Sequence, residues 1–226
     1  FKMAEQINAL GNDQAIILTV QNGVDNEEIL SDIFGKNRIL SSATYMSSSV
    51  ERPGVIKKTG VVKLLIGALH EKSKQTCQHI CDVLKEAGID TTITDDIVTA
   101  KWRKAVWNTT FNPISALSLA NVGEILDDEE LRLTAETVCR EVLEVASKNG
   151  ISLGDKMFDV IFRQAEFARE HNPSMLQDRL NNKPMEVESL IGYFVKLARK
   201  LNVETPAMQL LYSHLKFINQ KILSLK

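Results

Sequence analysis

Lys104, Asn108 and Asn112 recur at intervals of four residues in the largely apolar run Lys104-Ala-Val-Trp-Asn108-Thr-Thr-Phe-Asn112-Pro113. Four residues advance a helix by about 400°, so the three side chains share one broad face. Asparagine is a poor helix former and is costly to bury unpaired. One ammonium and two amides aimed into an apolar setting suit a pocket that grips a small, oxygen-rich molecule.

Two further segments carry groups of the same kind. Gln21-Asn22-Gly23 follows an apolar, strand-like run at residues 15–20. In open α/β sheets, ligands bind beyond the carboxyl ends of the strands, where an amide can reach a cofactor ring or a substrate oxygen. Asn-Gly is also a common turn pair. The other segment is Ser174-Met-Leu-Gln-Asp178, followed after a loop by Glu186. Taken singly, Ser174 reads as a helix cap. Glu186 taken singly reads as a solvated carboxylate in a first helical turn, favoured there by the helix dipole.

The elements that must position these groups fall into two parts. Residues 1–94 alternate strand-like and helix-like stretches: strands at 15–20, 38–45, 60–69 and 91–94, helices at 27–34 and 73–87, and turns at Glu51-Arg-Pro-Gly54 and Gly88. Such alternation argues for an α/β layer with a parallel component. Residues 95–226 read as helices only. Asp95 or Asp96 caps the helix bearing Lys104, and Pro113 is expected to kink or interrupt it. Further helices are expected at 127–149, 155–170, 175 onward, 185–201 and 206–225, the last with a stripe of Leu210, Leu211, Leu215, Ile218 and Leu225 that faces the core or a second subunit, a possible homodimer.

The bulk numbers narrow the classes. A formal charge of −2 over 226 residues implies no general affinity for polyanions, and no nucleic-acid-binding motif is present. The apolar runs are too short to cross a bilayer. No secretory signal opens the chain, and three cysteines fit a reducing, cytoplasmic setting. Cys77 and Cys81, with His79 between them, lack the further ligands a zinc site needs, so no metal is expected and both read as small buried apolar residues. The abrupt start at Phe1-Lys2-Met3 reads as the middle of an amphipathic helix.

Taken together, Gln21-Asn22-Gly23, Lys101-Trp-Arg-Lys104 with Asn108 and Asn112-Pro113, Gly123-Glu124, Ser174-Met-Leu-Gln-Asp178 and Glu186 resemble the ketopantoate reductase family in order and spacing, from about Ala4 to the last helix. The resemblance implies an α/β Rossmann-type domain, here lacking its N-terminal part, followed by an all-α domain, with the active site in the cleft between them. It implies NADPH-dependent reduction of 2-dehydropantoate to pantoate, or of a related 2-keto acid, or else a catalytically silent relative that binds a small molecule. By resemblance, Lys104 and Glu186 are catalytic. Asn108, Asn112, Ser174 and Asn172 bind substrate, and Asn22 lies at the nicotinamide.

The roles are chemically coherent. Reduction of a 2-keto acid builds negative charge on the carbonyl oxygen, and a protonated lysine beside it stabilises that charge and can donate the proton. Some of the family's pattern is missing. The glycine-rich phosphate loop and a second lysine are absent from these residues, and the resemblance places the loop upstream of Phe1. Val122 stands where the family often has asparagine, with Asn121 beside it. His171 replaces another amide, with Asn172 adjacent.

Overall fold

A computed structural model describes residues 2–224. The chain divides into two compact units, Phe1–Lys101 and Trp102–Lys226.

The first unit is built on a mixed four-stranded sheet of order β1-β2-β3-β4, with β1 Ile17–Thr19, β2 Ile39–Arg52, β3 Val55–Ala68 and β4 Asp90–Ile93. β1 pairs parallel with β2, and β3 parallel with β4, while β2 and β3 form an antiparallel hairpin. A parallel pair needs a crossover. Helix α2 (Asn26–Phe34) supplies the first and α3 (Lys74–Glu86) the second. Alternate strand residues point to opposite faces. Leu40, Leu64 and Ile66 therefore meet Cys77 and Cys81 of α3 on one side. Ile39 packs with Phe34 and with Ala4 of α1 (Lys2–Asn8) on the other. Both cysteines are part of that core, and burial, then the neighbouring Cys81 thiol, push the Cys77 thiol above its ordinary pKa.

The hairpin is longer than the hydrophobic pattern implies. Each strand has 14 residues and they meet at Pro53-Gly54. The polar tip carries no alternation to mark it as strand. It is held by the backbone ladder and by a turn in which proline presets one φ and Gly54 takes φ 79°.

Helix α4 (Ile97–Ser118) starts where Asp96 Oδ1 accepts the backbone N–H of Thr99, at 3.0 Å. It belongs to the first unit for its first turn and to the second thereafter. Pro113 does not interrupt it. An interior proline costs about 3 kcal/mol, but the helix is buried on most sides, with Val106, Phe111, Ile114 and Ala116 at 0–2% exposure. Packing outweighs the lost hydrogen bond.

The rest of the second unit is α5 (Val122–Asp127), α6 (Glu129–Lys148), α7 (Met157–Phe167), α8 (Ser174–Leu180), α9 (Tyr193–Leu201) and α10 (Pro206–Ser224). The helix expected at 127–149 is α6, and the short α5 before it is an unexpected element; Asp128 ends α5 and caps α6 by accepting from the Leu131 N–H. The helix expected over 185–201 opens with a π turn at Glu188–Gly192. On α10, Leu211 and Leu215 are buried, Ile218 is half-buried and Leu210 is exposed, while Leu225 lies outside the described residues. No helix among the described residues is long and apolar enough to cross a membrane.

Candidate active site

The second unit holds most of the chemistry-bearing residues. On α4, Lys104 and Asn108 are half-buried and Asn112 is 2% exposed. The apolar neighbours Trp102, Val106 and Phe111 lock this stretch, with Trp102 edge-on to Phe194 of α9 at 5.4 Å and Phe111 edge-on to Phe162 of α7 at 5.9 Å. Side chains on a helix so held have little freedom beyond their own rotamers.

Ser174 is not a helix cap. It is the first residue of α8, the capping position belongs to Pro173, and no side-chain capping bond forms there. Proline before the helix sets an extended entry and leaves the serine hydroxyl for other work. Its Oγ lies 3.5 Å from Asn112 Nδ2, which donates to it across a long separation in sequence. Two donors so spaced can both reach a single acceptor oxygen at about 2.8–2.9 Å. Asn112 is buried and Ser174 exposed, so the pair sits where a side-chain cluster meets the surface.

Glu186 is exposed, two residues before the π turn. Its charge is felt at Asp178, four residues beyond Ser174 and so on the same face of α8. Burial, and then the Glu186 carboxylate, push the Asp178 carboxyl above the usual range, with Lys183 opposing. Ser174, Asp178 and Glu186 therefore share one neighbourhood, and Asp178 is a member that its motif contained without revealing a role. Asn172 lies on the exposed loop before α8, where its backbone carbonyl accepts from Gln177 Nε2 at 2.8 Å.

The Gly123-Glu124 pair is structural. Asn121 Oδ1 accepts from the Glu124 N–H at 2.9 Å and Glu124 Oε2 accepts from the Asn121 N–H at 2.7 Å, a complete capping box for α5. A Cβ on residue 123 would stand 3.1 Å from the Arg169 carbonyl oxygen, so glycine lets the two backbones close up. Val122 is fully buried. The side-chain oxygen of Asn121 is thus engaged at the helix start.

In the first unit, Asn22 lies in the loop after β1 and is half-buried. Its carbonyl accepts from Asn26 Nδ2 at 2.7 Å, and Gly23 takes φ 89°. The preceding Gln21 carbonyl accepts from Lys101 Nζ at 3.3 Å. The loop is therefore tied down from α2 and from the first turn of α4. An uncharged amide on a fixed loop at the carboxyl end of a strand suits the carboxamide and ribose edge of a nicotinamide nucleotide. Among the described residues no cluster of histidine, cysteine and carboxylates could hold a metal ion.

Comparison with known proteins identifies the family. Residues 96–219 match the family described as ketopantoate reductase PanE/ApbA C terminal, and residues 2–71 match ketopantoate reductase PanE/ApbA. The chain belongs to the ketopantoate reductase family. A 2-dehydropantoate 2-reductase of Pyrococcus abyssi is 33% identical over 200 residues, covering 88% of this chain and 66% of that protein. The chain thus spans just under two thirds of that relative's length. The crystal structure of 2-dehydropantoate 2-reductase from Geobacter metallireducens superposes with TM-score 0.82 at 28% identity, over 89% of this chain and 67% of that one. D-mandelate dehydrogenase, solved with NADH and anilino(oxo)acetate, shares the fold with TM-score 0.88 at 23% identity, over 98% of this chain and 73% of that one. The family's Rossmann-like fold followed by a helical domain is the architecture seen here.

Proposed function

We propose that the protein is an NADPH-dependent reductase that converts 2-dehydropantoate to pantoate, acting in the cytoplasm. The observation that carries this reading is the approach of Asn112, on the helix that also bears Lys104, to Ser174 of α8, with Glu186 acting on Asp178 of the same helix. Family membership supplies the reaction class.

A bound reduced nicotinamide would supply hydride to the carbonyl carbon of the keto acid. Everything else is work for the chain. Lys104 holds its ammonium against the carbonyl oxygen, opposes the charge that builds there, and passes a proton to it as the alcohol forms. Asn112 and Ser174 offer a converging pair of donors to a substrate oxygen without adding a competing charge, and Asn108 adds a third one turn earlier. Asn172 borders the same loop. Glu186 accepts from the substrate hydroxyl and fixes the ammonium's position. Asn22 is assigned to the nicotinamide carboxamide.

A second reading is a reductase of a different branched 2-keto acid. It is favoured by Val122, which is buried at a position where the family often offers an amide. The experiment is direct. The full natural protein is assayed for NADPH oxidation with 2-dehydropantoate and with a panel of other 2-keto acids. The expected result is fastest turnover on 2-dehydropantoate, with Lys104→Ala slowing it by roughly two to three orders of magnitude. Turnover confined to another keto acid selects the second reading. No turnover on any of them removes both.

A further inference from the structure

We infer that Asn219, near the end of α10, is a positioning residue for Glu186. The inference rests on reading Glu186 as the acidic partner of the reaction, and it stands on a separate piece of geometry.

Met185 is 5% exposed, so its backbone N–H and C=O need partners within the protein. One side chain reaches both, and the carbonyl also accepts from the Val187 N–H at 2.8 Å. Asn219 Oδ1 accepts from the Met185 N–H at 2.8 Å, and Asn219 Nδ2 donates to the Met185 carbonyl at 3.2 Å. The amide thereby imitates one rung of a β ladder. Turning it over would set donor against donor and acceptor against acceptor, so its orientation is determined. The clamped residue immediately precedes Glu186 and follows the loop that ends in Pro184.

The chain beyond Glu186 is held as well. The Glu186 carbonyl accepts from the Leu190 N–H at 3.1 Å. Glu188 accepts from Tyr212 Oη at 2.9 Å. Tyr212 and Asn219 are seven residues apart, two turns along one face of α10. A single helix face therefore grips the segment on both sides of Glu186. Removing the Asn219 amide frees the upstream grip alone. Misplacement of a reacting group by about 1 Å can cost about 100-fold in rate, so a loosened Glu186 is expected to act on kcat.

The test uses Asn219→Leu, which fills similar volume and removes both bonds, and Asn219→Asp, which retains the acceptor for the Met185 N–H. Both are made in the full natural protein. Amide hydrogen exchange is expected to rise about tenfold or more over residues 185–190 in Asn219→Leu and less in Asn219→Asp, with exchange in α6 unchanged. The kcat for the keto acid is expected to fall about tenfold, with KM for NADPH unchanged and the acid limb of the pH–rate profile displaced. A purely structural role would not move that limb. Unchanged exchange at 185–190 overturns the clamp whatever the kinetics do. Raised exchange with unchanged kcat and pH profile overturns the positioning role. If Asn219→Leu fails to fold, the graded change in Asn219→Asp decides. If the unsubstituted protein turns over no keto acid, the failure lies in the proposed function and takes the catalytic part of this assignment with it, while the exchange result still decides the clamp.

Discussion

Lys101 Nζ lies 2.5 Å from Glu27 Oε1, with the two side chains only 6% and 14% exposed. The same carboxylate oxygen accepts from Ser41 Oγ at 2.6 Å, and the ammonium also donates to the Gln21 carbonyl at 3.3 Å. One buried pair thus ties α2, β2, the loop before Asn22 and the first turn of α4. Removing one partner of a buried pair leaves an uncompensated charge, at a cost of about 3–5 kcal/mol, whereas replacing both by apolar groups is often neutral. Lys101→Met is expected to lower the urea midpoint sharply, and Lys101→Met with Glu27→Met to recover most of the loss. A single variant as stable as the parent would show that this pair is solvated and contributes little.

The approach of Asn112 to Ser174 makes a kinetic prediction. If both donate to one substrate oxygen, Ser174→Ala and Asn112→Ala should each raise KM for the keto acid by about tenfold, the loss of about 1.4 kcal/mol of binding. Together they should cost less than the sum, because the second removal finds the shared oxygen already poorly held. Steady-state kinetics on the two single variants and the double one measure the coupling. Strict additivity would mean that they contact different atoms.

What the sequence disclosed of this site follows from what local pattern can carry. Lys104, Asn108 and Asn112 were legible because polar residues at helical spacing stand out in an apolar run, and strong burial around α4 confirms the setting. The alternating first half was legible from strand-like runs and glycine punctuation. The polar end of the β2–β3 hairpin was not, since backbone ladders leave no side-chain signature. Ser174 had the chemistry of a cap, and only the placement of Pro173 assigns it otherwise. The π turn, the Asn219 clamp and the Glu141 carboxylate on α6 depend on partners tens of residues away. No local periodicity marks them.

Glu141 sets up a pH prediction. It is 7% exposed and accepts from the backbone N–H groups of Ala207 at 2.9 Å and Met208 at 2.8 Å, capping α10 from a distant helix. Burial raises its carboxyl above the usual range, and the two hydrogen bonds only partly oppose this. With its folded pKa above the unfolded value, the folded state holds the proton more tightly. Its contribution is therefore largest below the unfolded carboxylate pKa and declines as pH rises through the folded value. Glu141→Gln abolishes that titration. The stability of the parent relative to Glu141→Gln should fall as pH rises from about 4 through the raised pKa and then level off, as read from urea unfolding across that range. Glu141→Ala, which leaves two N–H groups bare, should cost about 2 kcal/mol or more. A parent-minus-Gln difference that grows with pH would reverse the sign and show that the capping bonds dominate burial.

Gly192 tests the π turn by the sign of one substitution. Glycine inside a helix is ordinarily a weakness, and alanine there usually adds about 0.5–1 kcal/mol of stability. At residue 192 the backbone is ordinary, with φ −61°, so conformation alone favours alanine. Space does not. An added Cβ would stand 2.8 Å from Tyr212 Cε2 and 3.1 Å from Glu188 Oε2. The ring cannot retreat freely, because its hydroxyl donates to Glu188 at 2.9 Å and accepts from Lys216 Nζ at 3.2 Å. Glu188 is also paired with Lys196, and although burial works the other way, these partners hold its carboxyl below the usual range. Gly192→Ala must therefore displace Tyr212 or open the turn, at a cost of about 1–3 kcal/mol. Tyr212→Phe alone should cost about 1 kcal/mol through the lost hydrogen bond. Tyr212→Ala, by making room, should reduce the penalty of Gly192→Ala. Urea unfolding of this set measures both effects, and a Gly192→Ala variant more stable than the parent would mean that helix propensity, rather than the close approach of α10, governs this turn.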